Sequence, residues 1–457
     1  METSNNTPAS NTLTIIGAGA TGLTAAYLAA KSGYKVKVIE SSNNLGGLLS
    51  TFKTAGDQLE FYYHHFFTHD EEILWLLKEL ALDSKLFFKQ SSMGVFRNGK
   101  IYPFSTPKDL LNFTPMKFIN RVRFAASSLL LSKAKNWKTF EDISILDWFY
   151  KWAGKEATET VWKPMLKIKF GDYFPQIPAS WMIGRLQQRV GSRNKGKEQL
   201  GYLLGSQQLI VDKLVTELER MGVEIIKGIK VKTLNIKEGN IDCVVLENGD
   251  VISADKTLST IPVPYLSELL ENDKTGFRSI LDKIEYFGAI CVVLMMKEPL
   301  SDTYWLNVAD PGFSFGGVIE HTNFIPKERY GNQHIAYLSR YVEKNNSLMT
   351  ADLNKVEAAW VDELVRIYPN FKIENIIEVK TFRTSTAAPV CLRNFSKDIP
   401  NVKTPIGGFY AVNMAHVYPD ERSVNNSIRI AGNALKTMGI THDLPDRKRS
   451  LTGIVGF

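Results

Sequence analysis

Gly17, Gly19 and Gly22 form a Gly-x-Gly-x-x-Gly run, and Glu40 follows Gly17 by 23 residues. These residue types at this spacing can hold a dinucleotide. The first glycine permits a tight turn, the second lets a pyrophosphate approach the backbone, and the third lets a helix pack against a strand. A carboxylate at that distance can accept from both ribose hydroxyls of an adenosine, and it disfavours a 2′-phosphate, which would want an arginine.

The flanking residues supply what must position these groups. Residues 13–16 are a short apolar run with β-branched members, as a buried strand needs. Leu23, Ala26, Tyr27 and Ala30 share one face of a helix that ends at Gly33. The amino end of that helix offers free N–H groups and a positive dipole to phosphate. Residues 36–39 form the second strand, with Glu40 at its end.

The extension Glu40-Ser41-Ser-Asn-Asn-Leu-Gly46-Gly47-Leu48-Leu-Ser-Thr resembles the FAD fingerprint of the flavin amine oxidase, phytoene desaturase and protoporphyrinogen oxidase superfamily. Weaker similarity runs over most of the chain. The resemblance implies an α/β protein in which a doubly wound, Rossmann-like FAD domain of the glutathione reductase type is interrupted by a substrate domain of mixed antiparallel sheet and helices. It places the FAD domain at residues 1–90, 196–275 and 400–445, the substrate domain at 91–195 and 276–399, and a tail at 446–457. It implies FAD contacts from Gly17, Gly19, Ala20, Thr21, Gly22, Glu40, Ser41, Gly46, Gly47 and Leu48. It also puts the Val231 backbone over the adenine and Thr260 at the end of a strand near the cofactor. Asn413 falls on a loop crossing the pyrophosphate. Val424 opens a last helix whose first N–H groups meet flavin O2, favouring the reduced ring. Most relatives have Gly-Asp where this chain has Val412-Asn413; Asn can still bond a phosphate or ribitol oxygen, so FAD is expected to be kept.

Two groups stand out for chemistry. Phe61-Tyr-Tyr-His64-His65-Phe-Phe67-Thr68-His69-Asp70-Glu71 sits ahead of a helix, with Thr68 and Glu71 spaced as a capping box. It resembles a segment of UDP-galactopyranose mutases, with His64 at the first His position and Phe67 replacing the second His. His64 can contact the flavin or substrate, or be a packed core histidine. Lys163, Lys167 and Lys169 lie among apolar neighbours in a segment that resembles a bacterial branch of the superfamily. A lysine aimed at the flavin can stabilise charge as the ring takes a hydride, or hold a water there. Lys169 is the candidate; a snorkelling surface lysine is the plain alternative. Arg185 and Arg189 share a helix face and could meet an acidic substrate or solvent.

Phe118, Ile119, Val122, Ala125, Ala126, Leu129 and Leu130 recur at helical spacing among basic residues. Such a helix either lies in a membrane interface or packs on the substrate domain with a solvated face. From Tyr286 to Val390 the chain reads as strands around one helix, a mostly antiparallel floor for a pocket, with Tyr304, Trp305, Phe313 and Phe315 as candidates for its wall.

The 457 residues suit two or three domains, and 44% hydrophobic with 23% charged residues is an ordinary globular balance. A net charge of +7 fits an acidic substrate, an anionic membrane surface, or neither. No basic block interleaved with aromatics points to nucleic acid. Three distant cysteines argue against a disulfide framework or a metal site and fit a reducing cytosol. The polar first eleven residues are not a signal peptide, and no apolar run is long enough to span a bilayer. The expectation is therefore a cytoplasmic FAD-dependent oxidoreductase, with peripheral membrane contact as an option. It would take a hydride from an amine, tetrapyrrole or isoprenoid-like substrate. A redox-neutral flavoenzyme of the galactopyranose mutase type and a non-catalytic flavin-binding partner protein are the alternatives.

Overall fold

The computed structural model describes residues 11–194, 197–445 and 455–457. The polar start (1–10), the expected domain boundary at 195–196 and residues 446–454 of the expected tail lie outside the described residues.

A five-stranded parallel sheet is built in the order Glu224–Lys227, Lys35–Glu40, Thr12–Ile16, Lys256–Ser259 and Phe409–Ala411. Its central strand is the apolar run 13–16, buried on both faces, which is what helices on either side of a parallel sheet require. The helices Ala20–Lys31, Gln208–Arg220 and Val424–Thr437 pack together beside this sheet. Leu23, Ala26 and Leu28 of the first helix, Leu214 and Leu218 of the second, and Ile428 and Leu435 of the third share one core. Three segments far apart in sequence thus bring Gly17, Thr260 and Asn413 to the same carboxyl end of the sheet.

A second sheet has seven strands, in the order Ile376–Pro389, Tyr286–Met296, His334–Val342, Gly317–Glu320, Trp305–Val308, Met93–Arg97 and Lys100–Pro103. All pairs are antiparallel except Trp305–Val308 with Met93–Arg97. The turn at Asn98-Gly99 has both residues at positive φ, the hairpin geometry that Asn-Gly favours. Tyr286–Met296 is buried along its whole length, because strands flank it on both sides and packed layers cover both faces. Phe313 and Phe315 pack with Phe96 and Trp360 in a core of their own, so they are core residues and not pocket wall.

Two local expectations change. The helix after the aromatic–histidine segment starts at Glu71 behind Asp70, and no side chain caps it, so Thr68 and Glu71 form no capping box. The helix Phe118–Ser132 forms where its spacing predicts, but Phe124, Ser127 and Leu131 are its buried residues, while Phe118, Ile119, Val122, Leu129 and Leu130 face outward.

Burial pushes His64, His65 and His416 down to about 4 and His321 to about 3, from 6.5. Hydrogen bonds to backbone carbonyls partly oppose burial at His64, from Tyr62, and at His416, from Asn413 and Pro400. A histidine with a depressed folded pKa stays neutral in the native state while the unfolded chain takes its proton. Stability is therefore full above pH 6.5 and falls as pH drops towards about 4. Unfolding at pH ~5 is expected to take up about three to four protons from these groups. Urea midpoints measured between pH 7 and 4 check this, and a flat profile would contradict it.

Candidate functional site

The first turn is shaped by close backbone approach. Gly17 has φ +104°, and a Cβ on Gly22 would stand 1.8 Å from the Gly17 carbonyl oxygen, so only glycine lets the helix come this near. Gly19 starts the helix, and no side chain caps its amino end, which leaves the N–H groups around Ala20, Thr21 and Gly22 for a ligand. The Thr260 hydroxyl donates to the carbonyl oxygens of Ile16 and Gly17 at 3.1 and 3.2 Å, holding the turn from the neighbouring strand.

Glu40 ties this turn to the next. One carboxylate oxygen accepts from the Ala18 N–H at 2.8 Å; the other accepts from the Ser42 N–H at 2.9 Å and the Ser41 hydroxyl at 3.2 Å. Gly46 and Gly47, both at positive φ, return the chain against the first turn: Gly46 bridges to Gly19, and its N–H donates to the Ala18 carbonyl at 2.9 Å. Leu48 is exposed just beyond. Ile229 N–H donates to the Glu40 carbonyl, which brings the start of the strand Val231–Lys237 beside Glu40. On the far side Asn413 is buried. Its Oδ1 accepts from the Ala415 N–H, and its Nδ2 has no partner among the described residues. Val424 opens the closing helix, where the Ser423 hydroxyl accepts from the Asn426 N–H. An uncapped helix end, two glycine turns in contact and a buried amide with an unmet donor fit a dinucleotide. The two glycine turns are the ones that the sequence spacing singles out, and Asn413 lies where the family resemblance places it.

Away from these turns lies a cluster of charge. Lys169, near the end of the helix Lys163–Phe170, sets its ammonium over the Trp181 ring at 5.0 Å and the Tyr341 ring at 5.6 Å, and it makes no hydrogen bond among the described residues. Burial, helped by the charge of Arg185, pushes it from 10.5 down to about 7. Arg185 stacks on the same Trp181 ring, at 3.8 Å, and donates to the Trp181 and Pro419 carbonyls. Arg422 donates to the Tyr341 hydroxyl at 3.2 Å. Arg189 pairs with Glu198 at 3.0 Å. Burial would raise the Glu421 carboxyl, but Arg185, Lys169, Arg189 and His65 together hold it below its usual value, so it is ionised.

Of the two groups expected to act, Lys169 belongs to this cluster. His64 does not share it: its Nδ1–H donates to the Tyr62 carbonyl, and burial alone makes it neutral. His65 is the histidine on which Arg189, Glu421 and Glu198 act, and its ring meets Phe67 and Trp305 edge-on. Trp305 is also crossed by Tyr63, so of the four aromatics considered for the pocket wall it is the one beside the cluster. Glu421 and Arg422 were missed in the sequence. The only signal was their place between the loop at Asn413 and the closing helix, and nothing in their spacing singles them out.

Residues 20–412 match the model of the flavin-containing amine oxidoreductase family. The chain is 24% identical over 435 residues to a 15-cis-phytoene desaturase of Solanum lycopersicum, covering 87% of this chain and 72% of that protein. A structure solved as a candidate protoporphyrinogen oxidase from Exiguobacterium sp. 255-15 shares the fold with a TM-score of 0.76 at 17% identity, covering 94% of this chain and 99% of the other. A reduced UDP-galactopyranose mutase shares it with a TM-score of 0.72 at 15% identity, covering 94% of each.

Proposed function

The chain belongs to the flavin-containing amine oxidoreductase family and is an FAD-dependent oxidoreductase; from that premise we propose that it takes a hydride from a substrate that carries an acidic group. A tetrapyrrole or an isoprenoid-like acid fits this reading better than a free amine. The observation that carries it is the charge around Lys169: Arg185, Arg189 and Arg422 share the site, and among the described residues Glu421 and Glu198 are the anions set against them. A protonated amine would add a further cation to this group, whereas a carboxylate would complete it.

In this reading Gly17, Gly19, Ala20, Thr21 and Gly22 hold the FAD pyrophosphate with backbone N–H groups, and Glu40 and Ser41 bind the ribose. Gly46, Gly47 and Leu48 line the path towards the ring, while Val231 and Thr260 flank the adenosine end. Asn413 offers its free Nδ2, and the first turn of the helix at Val424 meets the ring. The parallel sheet with the helix Val424–Thr437 forms the cofactor side, and the seven-stranded sheet forms the substrate side. Bound FAD supplies a two-electron acceptor. Lys169 acts as a catalytic group: titrating near neutrality, it can hold a proton at Nζ or release one as charge develops. Arg422 and Arg185 orient the acid. Trp181, Tyr341 and Trp305 keep water out, and His65 remains neutral beside Trp305.

Anaerobic reduction of the bound flavin, followed by its absorbance against tetrapyrrole acids, polyprenyl acids, amines and nucleotide sugars, tests the proposal. Bleaching by an acid-bearing compound is expected. Bleaching by simple amines alone would overturn it. The same cations would also suit a diphosphate, so a nucleotide sugar turned over with no net electron transfer, and only after reduction, would favour the mutase-like alternative. Glu40→Ala should lower FAD affinity about tenfold to a hundredfold, since it removes the ribose acceptor and frees the Ala18 and Ser42 N–H groups. Unchanged flavin content after dialysis would count against that assignment.

A further inference from the structure

Residues 418–423 join the loop at Asn413 to the closing helix Val424–Thr437 and carry Glu421 and Arg422 into the charged cluster. The stretch belongs to no helix or strand. No regular backbone ladder fixes its path, so the position of both charges depends on what pins it from outside.

It is pinned from two sides. On the substrate side the hydroxyls of Ser180 and Tyr418 share a hydrogen bond at 2.6 Å, and Arg185 donates to the Pro419 carbonyl at 3.2 Å and the Asp420 carbonyl at 3.5 Å. Gly184 lets the helix Ala179–Gly191 close on this stretch, for a Cβ there would stand 2.4 Å from the Pro419 carbonyl oxygen. On the cofactor side Asn426 donates its Nδ2 to the Glu421 carbonyl at 2.5 Å. Arg429, on the same closing helix, pairs with Asp420 at 2.8 Å, with the two side chains only 7% and 2% exposed. Asp420 is thus the meeting point: its side chain is held by the closing helix and its backbone by the helix that carries Arg185 and Arg189. Burying two charges is costly, and apolar side chains of the same volume would hold a loop to a helix as well. What the ion pair adds is direction, fixing Asp420 opposite one turn of the helix.

We propose that Asp420 and Arg429 are positioning residues that carry cofactor occupancy into the charged cluster. The proposal rests on the reading that FAD meets Asn413 and the first turn of the closing helix. FAD that settles this helix settles Asp420 through Arg429, and with it Glu421, Arg422 and the helix Ala179–Gly191. The acid site is then complete only when the cofactor is in place, and each ligand favours the other by the same factor. The ion pair is the physical link that such coupling needs, since it joins the element that one ligand touches to the element that the other touches.

Amide hydrogen exchange of the full chain, flavin-free and FAD-loaded, tests this. In the parent, FAD should slow exchange about tenfold or more at Asn413, in the closing helix, in residues 418–423 and in Ala179–Gly191. In Asp420→Asn, which keeps the shape and removes the charge, the slowing should persist at Asn413 and in the closing helix but be lost in residues 418–423 and Ala179–Gly191. Arg429→Met should do the same, and Arg429→Lys, which keeps the cation, should regain most of the effect. A pair that only stabilises the fold would behave differently: exchange would quicken in both forms, the difference made by FAD would stay as in the parent, and the proposal would fall. Slowing in the parent that reaches Asn413 and the closing helix but not Ala179–Gly191 would overturn it without any variant. No slowing at Asn413 or in the closing helix would overturn the cofactor placement itself, and the coupling with it.

Discussion

Gly22→Ala is expected to cost both the fold and the cofactor, whereas Gly19→Ala costs only the cofactor. At Gly22 a methyl group would meet the Gly17 carbonyl oxygen at 1.8 Å and the Thr260 hydroxyl at 2.8 Å. The carbonyl is backbone, held in a turn that the Thr260 hydroxyl also fixes, so it cannot swing aside. The helix Ala20–Lys31 must back away from its strand, and packing with the closing helix goes with it. Overpacking of this kind destabilises by about 1–3 kcal/mol. At Gly19 the φ of −74° suits any residue, and a Cβ there has no heavy atom within 4 Å. The protein therefore has room for Gly19→Ala, and only a ligand crossing the turn would feel it. The expected result is an unchanged urea midpoint for flavin-free Gly19→Ala, with FAD affinity lower by about a hundredfold, roughly 2.7 kcal/mol. Titration by quenching of flavin fluorescence, beside denaturation of both variants, measures the contrast. If Gly19→Ala loads FAD as well as the parent, the pyrophosphate does not cross this turn.

That contrast shows why the cofactor side was readable in the sequence. Each of its residues answers a local backbone need: a tight turn at Gly17, helix contact at Gly22, a second turn at Gly46 and Gly47. Local needs leave a spacing that can be read without the fold. Glu40 was found through its interval from Gly17, and the structure adds that its carboxylate also ties the two turns together.

The charged cluster had no such signature. Lys169, Arg185, Arg189, Arg422 and Glu421 come from three separate stretches, and only packing of the helices Lys163–Phe170 and Ala179–Gly191 against the chain before Val424 joins them. Lysine among apolar residues marked Lys169 as unusual. Nothing local distinguished Glu421 from a solvated glutamate, or His64 from His65. The helix Phe118–Ser132 shows the converse limit. Periodicity identified the helix and its apolar stripe, but a period cannot say which of two faces meets the core. Here Phe124 and Leu131 took the inside, because the helix has apolar residues on both sides.

Lys169→Met should leave a protein at least as stable as the parent and nearly inactive. Its ammonium sits between Trp181 and Tyr341 without a hydrogen bond among the described residues, and burial has brought it to about 7 from 10.5. With the folded pKa depressed, the unfolded chain binds more protons between about 7 and 10.5. Stability therefore rises with pH across that window, and the full cost of the charge is present below it. Methionine removes that cost at neutral pH, so the flavin-free variant should melt at the same temperature or about 1–3 °C higher. Turnover should fall by about 100-fold to 10,000-fold, the range of a lost acid–base group. A structural lysine would show the opposite pairing, with stability lost and kcat kept. The pH profile adds a second reading. The parent should show a limb near pH 7 that Lys169→Met lacks, and Glu421→Gln, which withdraws an anion that supports the ammonium, should move that limb to lower pH. A parent profile flat through neutrality, or a limb that stays put in Glu421→Gln, would remove Lys169 from the chemistry and leave it as a cation that helps to hold the acid.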